Sequence, residues 1–295
     1  MHRFIKKIAI GFTAITMTLS SLNIALASPL LLHEDKTSKN LSSGVIHENI
    51  KQFHSSGWWN INVLRVNLED PYTNLGALYS SQGASQRDTV TNLMKGTNAI
   101  GAINADYFPM SGVSYPLGAV IDNGELISSP ANKNLDPLPA FVLDDNKNPF
   151  ILLWDWRVDI VAENGKSAPA TAVNKNTYAQ GNLFVYTDKW GALSHTGDSK
   201  NTVELVVKDD VVTQVRIGQA PIKIPQGSKV ISARGPLKSF LLDNFHVGSK
   251  VNFLVSGSPN FDNVTAAVGG GDMLLKDGKK TNFYVNIKGN QPRTA

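Results

Sequence analysis

Apolar and polar positions alternate with a period of two along much of this chain, the pattern of strands with one face in a core. Ile61-Asn62-Val63-Leu64-Arg65-Val66-Asn67-Leu68 alternates in this way and stops at the turn signal Glu69-Asp70-Pro71. Leu75 to Tyr79 predicts a second short strand. Ala99-Ile100-Gly101-Ala102-Ile103 predicts a buried one that leads straight into Asn104-Ala105-Asp106-Tyr107-Phe108. Apolar runs of strand length recur at Leu117 to Ile121, Ala140 to Leu143, Phe150 to Trp154, Val158 to Val161, Leu183 to Tyr186, Val203 to Val207, Val211 to Ile217 and Val251 to Val255. Lys208-Asp209-Asp210 predicts a hairpin connection, and Asp122-Asn123-Gly124-Glu125 and Lys276-Asp277-Gly278-Lys279 predict turns of the Asn-Gly and Asp-Gly type. Two helices are expected: one near residues 88–96 with Asp88 as N-cap and Gly96 as its stop, and one around Leu237 to Asp243. The expected fold class is therefore α+β: a strand-rich mixed-sheet domain with few helices and a large β-rich insertion at about residues 155–260. No short-period repeat occurs, which argues against a solenoid or propeller.

The N-terminal part follows other rules. His2, Arg3, Lys6 and Lys7 precede an apolar stretch from Ile8 to Leu26, and Ala25-Leu26-Ala27 stands before Ser28. This is the order of a secretory signal peptide with a small-residue cleavage site, here residues 1–27. The rival, an uncleaved anchor, wants about 20 predominantly apolar residues; Thr13, Thr16, Thr18, Ser20, Ser21 and Asn23 interrupt the run. The expectation is a secreted protein, extracellular or in the cell envelope, with no membrane span once the leader is removed. Residues 28–57 are mostly polar with little periodicity and predict a flexible lead-in, with the ordered domain over residues 58–295.

Composition narrows the function classes. The 295 residues, 42% of them hydrophobic, suffice for one domain of ordinary size or two small ones. The formal charge of +4 comes largely from the leader: setting aside Arg3, Lys6 and Lys7, 25 basic side chains face 24 acidic ones. That balance removes the electrostatic argument for a nucleic-acid partner. The absence of Cys excludes disulfides, thiolate metal sites and Cys nucleophiles together.

Several catalytic patterns fail on spacing. No G-x-S-x-G elbow is present. Gly165-Lys166-Ser167 imitates the end of a P-loop, but Ile160 stands where the first Gly is required. Asp144-Asp145-Asn146-Lys147-Asn148 begins like a calcium loop, yet Pro149 occupies the position of its turning Gly, so a solvated turn is expected. The six His residues form no H-E-x-x-H, and His195 and His246 stand alone as surface or loop residues.

Two stretches are unusual for plain structure. Asn104-Ala105-Asp106-Tyr107-Phe108-Pro109 puts polar and acidic residues at the end of an apolar run, followed by Gly112, Tyr115-Pro116-Leu117-Gly118 and Ser128-Ser129-Pro130. Strand ends that open into Gly/Pro-rich loops are where sites are commonly built. Val268-Gly269-Gly270-Gly271-Asp272 spends backbone entropy on three consecutive glycines, which calls for either positive-φ turns or close approach of the backbone to another group, such as a ligand phosphate.

Taken together these residues resemble the phosphodiester glycosidase domain, the family of the lysosomal enzyme that uncovers mannose 6-phosphate by removing N-acetylglucosamine. The family's iNgdyF, P-x-G and nGel-sp segments are matched by Ile103 to Phe108, Pro116 to Gly118 and Asn123 to Pro130. Its vyT-x-x-wG stretch is matched by Val185 to Gly191, and its ip-x-G and i-s-a-r-G stretches by Ile224 to Gly227 and Ile231 to Gly235. Its vGGgp-Ll-dGk segment is matched by Gly269 to Lys279, with Asp272 where the family has Pro, and its PRTA by Pro292-Arg293-Thr294-Ala295. Family members continue through DGR and NLDGGGS segments, so the resemblance implies a domain whose last part lies beyond Ala295, and an inactive or unstable product if the protein ended there.

The reaction implied by the resemblance is hydrolysis of a sugar 1-phosphodiester. The departing phosphomonoester is a good leaving group, so the demand falls on anchoring phosphate charge and on activating water or stabilising an oxocarbenium-like sugar. On this reading Asp106 is the candidate carboxylate, Asn104 orients sugar hydroxyls or a catalytic water, and Arg293 forks onto phosphate. Gly269, Gly270, Gly271, Asp272 and Thr294 line the substrate. The competing reading of Asn104 and Asp106 is a turn tied by side-chain to backbone bonds. No cofactor is implied, metal dependence and oligomeric state are left open, and the partner is a glycan or sugar-phosphate. The alternative from another class is a non-catalytic envelope glycan-binding or exopolysaccharide-associated module.

Overall fold

The computed structural model describes residues 29–130, 138–176, 183–195, 198–258 and 260–281, and the chain divides into two compact units. The fold is strand-rich α+β, as the alternation predicts.

The first unit comprises residues 1–40 and 46–65, and its described part is a three-stranded sheet. It is built from β1 (Leu31–Ser42), β2 (Val45–His54) and β3 (Gly57–Val66), in the order β1-β2-β3. The polar stretch expected to be a flexible lead-in thus forms two long strands, and ordered structure begins well before Trp58. Burial is not what selects them, since nearly every β1 side chain is exposed. Cross-strand polar pairs are, and these leave no apolar periodicity to read. Glu48 in β2 accepts from Lys36 in β1 and Arg65 in β3, each at 2.9 Å. These two hydrogen bonds hold its carboxyl below the ordinary range, Lys36 contributing most. Asn49 donates to Asn60 at 2.7 Å and to Asn62 at 3.1 Å.

The second unit, residues 41–45 and 66–295, carries the apolar cores. One five-stranded sheet has the order β5-β4-β16-β6-β7, from β4 (Val120–Asp122), β5 (Glu125–Ser128), β6 (Ala140–Asp144), β7 (Pro149–Leu152) and β16 (Val264–Gly269). Its central strand β16 is contributed from far along the chain, pairing Ala267 with both Ile121 and Val142. Between β7 and β16 run two further sheets. One places β8 (Asp155–Ala162) between β9 (Ser167–Pro169) and β15 (Val251–Ser258), so that Asp155 and Ser258 pair across the neck of the excursion. The other has the order β10-β11-β14-β12-β13, from β10 (Ala172–Val173), β11 (Leu183–Thr187), β12 (Thr202–Lys208), β13 (Val211–Ile217) and β14 (Ser228–Arg234). A short hairpin of β17 (Leu275–Lys276) and β18 (Lys279–Lys280) follows β16.

Period-two geometry explains why β11 reads as an unbroken apolar run. Leu183 and Val185 join the core shared with Val158, Ile160, Leu205, Ile231 and Leu241, while Phe184 and Tyr186 point the other way onto Trp190, Val206 and Val230. The three expected connections are sharp turns with positive φ at their central residues: Asn123 and Gly124, Asp209 and Asp210, Asp277 and Gly278. The residues 144–148 form the expected turn, with Asp144 Oδ1 accepting from the backbone N–H of Asn146 and Asn148.

Helix α1 (Val90–Met94) is capped by Thr89, whose hydroxyl accepts from Asn92 N at 3.2 Å, and not by Asp88. The Asp88 carboxylate instead takes the Thr89 N–H and the Asn92 amide. Helix α2 (Leu237–Asn244) lies where the sequence places it and buries Leu241. Two expected strands are absent. Leu75 to Tyr79 runs without a ladder, and Ala99 to Ile103 is irregular, with Ile100 53% and Ile103 76% exposed and no partner strand among the described residues.

Candidate functional site

Three separated segments meet around the Asp106 carboxylate. Asp106 is buried at the end of the irregular 98–106 stretch. Its Oδ1 accepts from its neighbour Tyr107 N at 2.7 Å, and its Oδ2 from Gly118 N at 2.8 Å. The end of β16 presses on both. A Cβ built on Gly269 would stand 2.6 Å from the Asp106 carboxyl and 2.6 Å from Gly118 Cα. Close approach, not a turn, thus explains Gly269 and Gly271; none of the three glycines has positive φ, and a Cβ on Gly270 would meet only Pro139 O at an ordinary 3.6 Å. Gly271 meets the Tyr107 ring in the same way, at 2.9 Å from its hydroxyl. The N–H of Gly270 is already given to Pro139 O at 3.0 Å, so it is not available to cradle an anion.

Sequence reasoning missed the fourth participant. Lys175 follows the short apolar strand β10 and is buried, and its ammonium donates to three successive carbonyls: Pro116 at 2.5 Å, Leu117 at 3.0 Å and Gly118 at 2.8 Å. The Gly118 residue is therefore held at both ends, its N–H by Asp106 and its C=O by Lys175. Burial pulls Lys175 down to about 7, opposed by the Asp106 charge. Three carbonyl acceptors match the three donors of an ammonium and favour its charged form. Burial likewise pushes the Asp106 carboxyl up, opposed first by Lys175 and then by the two backbone N–H groups. The only signal for Lys175 in the sequence is a polar triplet, Asn174-Lys175-Asn176, after Ala172-Val173. Asn174 anchors it, donating to Ile127 O and Thr187 Oγ1, both at 2.7 Å, and accepting from Thr187 N at 2.8 Å.

Asn104 is exposed and does not share the burial of Asp106, and Asp272 is exposed beyond the glycines. Arg293 and Thr294 lie outside the described residues. A cavity of about 720 Å³ exists in the same unit, lined by Tyr79, Gln82, Asp122, Lys189 and Lys223 among others; neither Asp106 nor the glycine segment lines it. Conformational constraint and buried charge coincide at Asp106, not at this cavity.

His195, expected at the surface or in a loop, is a loop residue that is buried beside Glu204, Arg216 and Arg234. Burial is the largest influence on it and lowers its pKa. Glu204 accepts from Arg216 Nε at 3.2 Å. Tyr186 is buried against the same charges, and its hydroxyl is pushed upward, chiefly by burial.

The chain matches no protein-family model and no curated protein. Among the described residues no helix is long and apolar enough to cross a membrane. Two solved structures share the fold. One is a hypothetical protein from Synechocystis, 22% identical with a TM-score of 0.68 over 84% of this chain, which spans 46% of that protein. The other is a "putative exported protein" from Burkholderia pseudomallei K96243, 13% identical with a TM-score of 0.66, covering 83% of this chain and 73% of that one. The fold is thus one that nature uses elsewhere, and in the first case this chain spans about half the length of its counterpart.

Proposed function

We propose that this chain is an exported hydrolase of sugar 1-phosphodiesters, of the phosphodiester glycosidase type, acting on glycans of the cell envelope or its surroundings. The observation that carries the reading is the convergence of Asp106, Gly118 and Gly269, three residues from motifs singled out in the sequence for chemistry and far apart along the chain. The apolar leader and the likeness to a protein named as exported support the location.

In this mechanism the carboxyl of Asp106 is the proton-handling group. Burial raises its pKa above the ordinary carboxyl range, which strengthens it as a base once ionised, and the two backbone N–H groups fix its orientation. Each carboxylate oxygen accepts one N–H and keeps a further lone pair for a water or a sugar hydroxyl. Lys175 contributes positive charge behind the Gly118 peptide and fixes the loop that carries it. The bond that breaks joins the anomeric carbon to the phosphate oxygen. Water adds at carbon, its proton goes to solvent through the carboxylate, and the phosphomonoester departs with the bonding pair.

A glycan-binding module is the second reading, favoured by one observation: both Asp106 oxygens are already tied to the backbone. The deciding experiment follows release of N-acetylglucosamine from a GlcNAc-1-phosphodiester by the folded chain and by Asp106→Asn. Release by the parent that falls at least about a hundredfold in the variant is expected for a general acid–base group. Equal release by both removes Asp106 from the mechanism. No release by the parent, with retained binding of the same compound, establishes the module.

A further inference from the structure

The first unit carries an aromatic tip at the β2–β3 end of its sheet. Trp58 is 69% exposed and Trp59 50%, and Leu30, Leu31 and Leu32 are 67%, 45% and 54% exposed. Adjacent residues of a strand point to opposite faces, so Trp58 and Trp59 lie on different sides of the sheet. Each has its own partner: Phe53 packs on Trp58 with ring centroids 4.8 Å apart, and His54 on Trp59 at 5.2 Å. The three leucines are held at the same end. Leu30 N donates to Ser55 Oγ at 3.0 Å, Ser55 N donates to Leu30 O at 2.9 Å, and His54 Nδ1 lies 3.2 Å from Pro29 O.

We infer that this tip is a membrane-docking edge, which seats its two faces of tryptophan and leucine in the interfacial layer of a phospholipid bilayer. Two observations choose this occupant. A protein partner or a second copy would cover one face of a sheet, whereas apolar groups on both faces of one edge suit a medium that surrounds the edge. Tryptophan, with an apolar body and one N–H donor, is the residue suited to that layer. The chain also enters the sheet at this edge. Pro29 and Leu30 are pinned there, and the stretch that precedes them in sequence is the apolar run Ile8 to Leu26. A chain still joined to that run at the bilayer would present this tip of the sheet to the lipid first.

The test uses the full chain labelled with 5-fluorotryptophan and vesicles of phosphatidylcholine and phosphatidylglycerol in equal parts. Single substitutions Trp58→Ser and Trp59→Ser assign the two tip resonances. With vesicles, both resonances are expected to broaden with a lipid-borne spin label and to become shielded from a soluble gadolinium chelate. Those of the buried Trp154 and Trp190 stay unchanged. The doubly substituted protein, recovered after secretion, should bind the same vesicles at least about tenfold more weakly, a loss of roughly 1.4 kcal/mol, with the Trp154 and Trp190 resonances intact as the check on folding. Tip resonances that stay open to gadolinium in the presence of vesicles overturn the inference. So does shielding that appears without lipid as protein concentration rises, which identifies a second copy, or equal vesicle binding by the doubly substituted protein.

Discussion

The two units of this chain reach β-structure by different physics. In the second, alternate side chains of β11 enter two cores, and Trp190, Tyr186, Leu183 and Leu205 are almost wholly out of water. In the first, one of the two buried side chains of the sheet, beside Val45 at the start of β2, is a carboxylate, Glu48, bridged to a base on either side. Apolar burial is worth about 1.5–3 kcal/mol for a large side chain, whereas exposed ion pairs contribute a median of about 0–1 kcal/mol. A sheet held by its ladder and by polar pairs can leave its tryptophans in solvent, because its stability does not draw on them.

The contrast breaks first at Lys175. Removing its charge with Lys175→Met strands three carbonyls and leaves Asp106 buried without its cation, a loss of about 3–5 kcal/mol, read by urea denaturation of the second unit. Trp190→Ala should cost a similar ~3–5 kcal/mol, whereas Trp58→Ala should stay within about 0.5 kcal/mol; equal losses at the two positions would abolish the distinction between the units. Gly269→Ala drives a Cβ into the Asp106 carboxyl and the Gly118 backbone, and should cost at least about 1–3 kcal/mol. A crystal structure of that variant would show whether the carboxylate or β16 yields.

Acid acts on the buried carboxyls of the two units in opposite senses. The Glu48 carboxyl is lowered in the folded sheet, so its contribution is present above the ordinary carboxyl range and is lost as pH falls through the lowered value. The Asp106 carboxyl is raised, so stability is fullest below the ordinary range and declines as pH rises through the raised value. Lys175, lowered to about 7, binds fewer protons folded than unfolded between that value and the ordinary lysine range, and stability rises with pH across that window. Amide exchange resolved by residue should show β1 to β3 losing protection first on acidification. In Glu48→Gln that acid dependence should vanish. The smallest expected effect is Asp88→Ala, which leaves the Thr89 cap in place and should change stability by under about 0.5 kcal/mol.

Sequence pattern carried most of the second unit because its strands alternate against cores, and because Asn123-Gly124, Asp209-Asp210 and Asp277-Gly278 name their own turns. It failed for residues 31–54, where strands are selected by cross-strand charge and amide pairs that leave no apolar period. It failed again at Ala99 to Ile103, where apolar residues lie in irregular, exposed chain. Of the site, Asp106 and the glycines were legible, since a buried carboxylate and an approach too close for any Cβ leave marks in composition. Lys175 was not: a lysine after two small apolar residues looks like a surface loop until the carbonyls of Pro116, Leu117 and Gly118 are seen around it.

The position of β16 also sets the order of folding. It is the middle strand of its sheet, flanked by β4 and β6, yet it follows the entire excursion through β8 to β15. The hairpins β4–β5 and β6–β7 are local and can form early, but they have no strand between them until residue 269 is in place. Loop closure of that length is slow to nucleate. The sheet therefore cannot close until residues 120–269 have all been made, which leaves its two hairpins unjoined for that interval. The strand that completes the Asp106 centre is also the one that ends that interval.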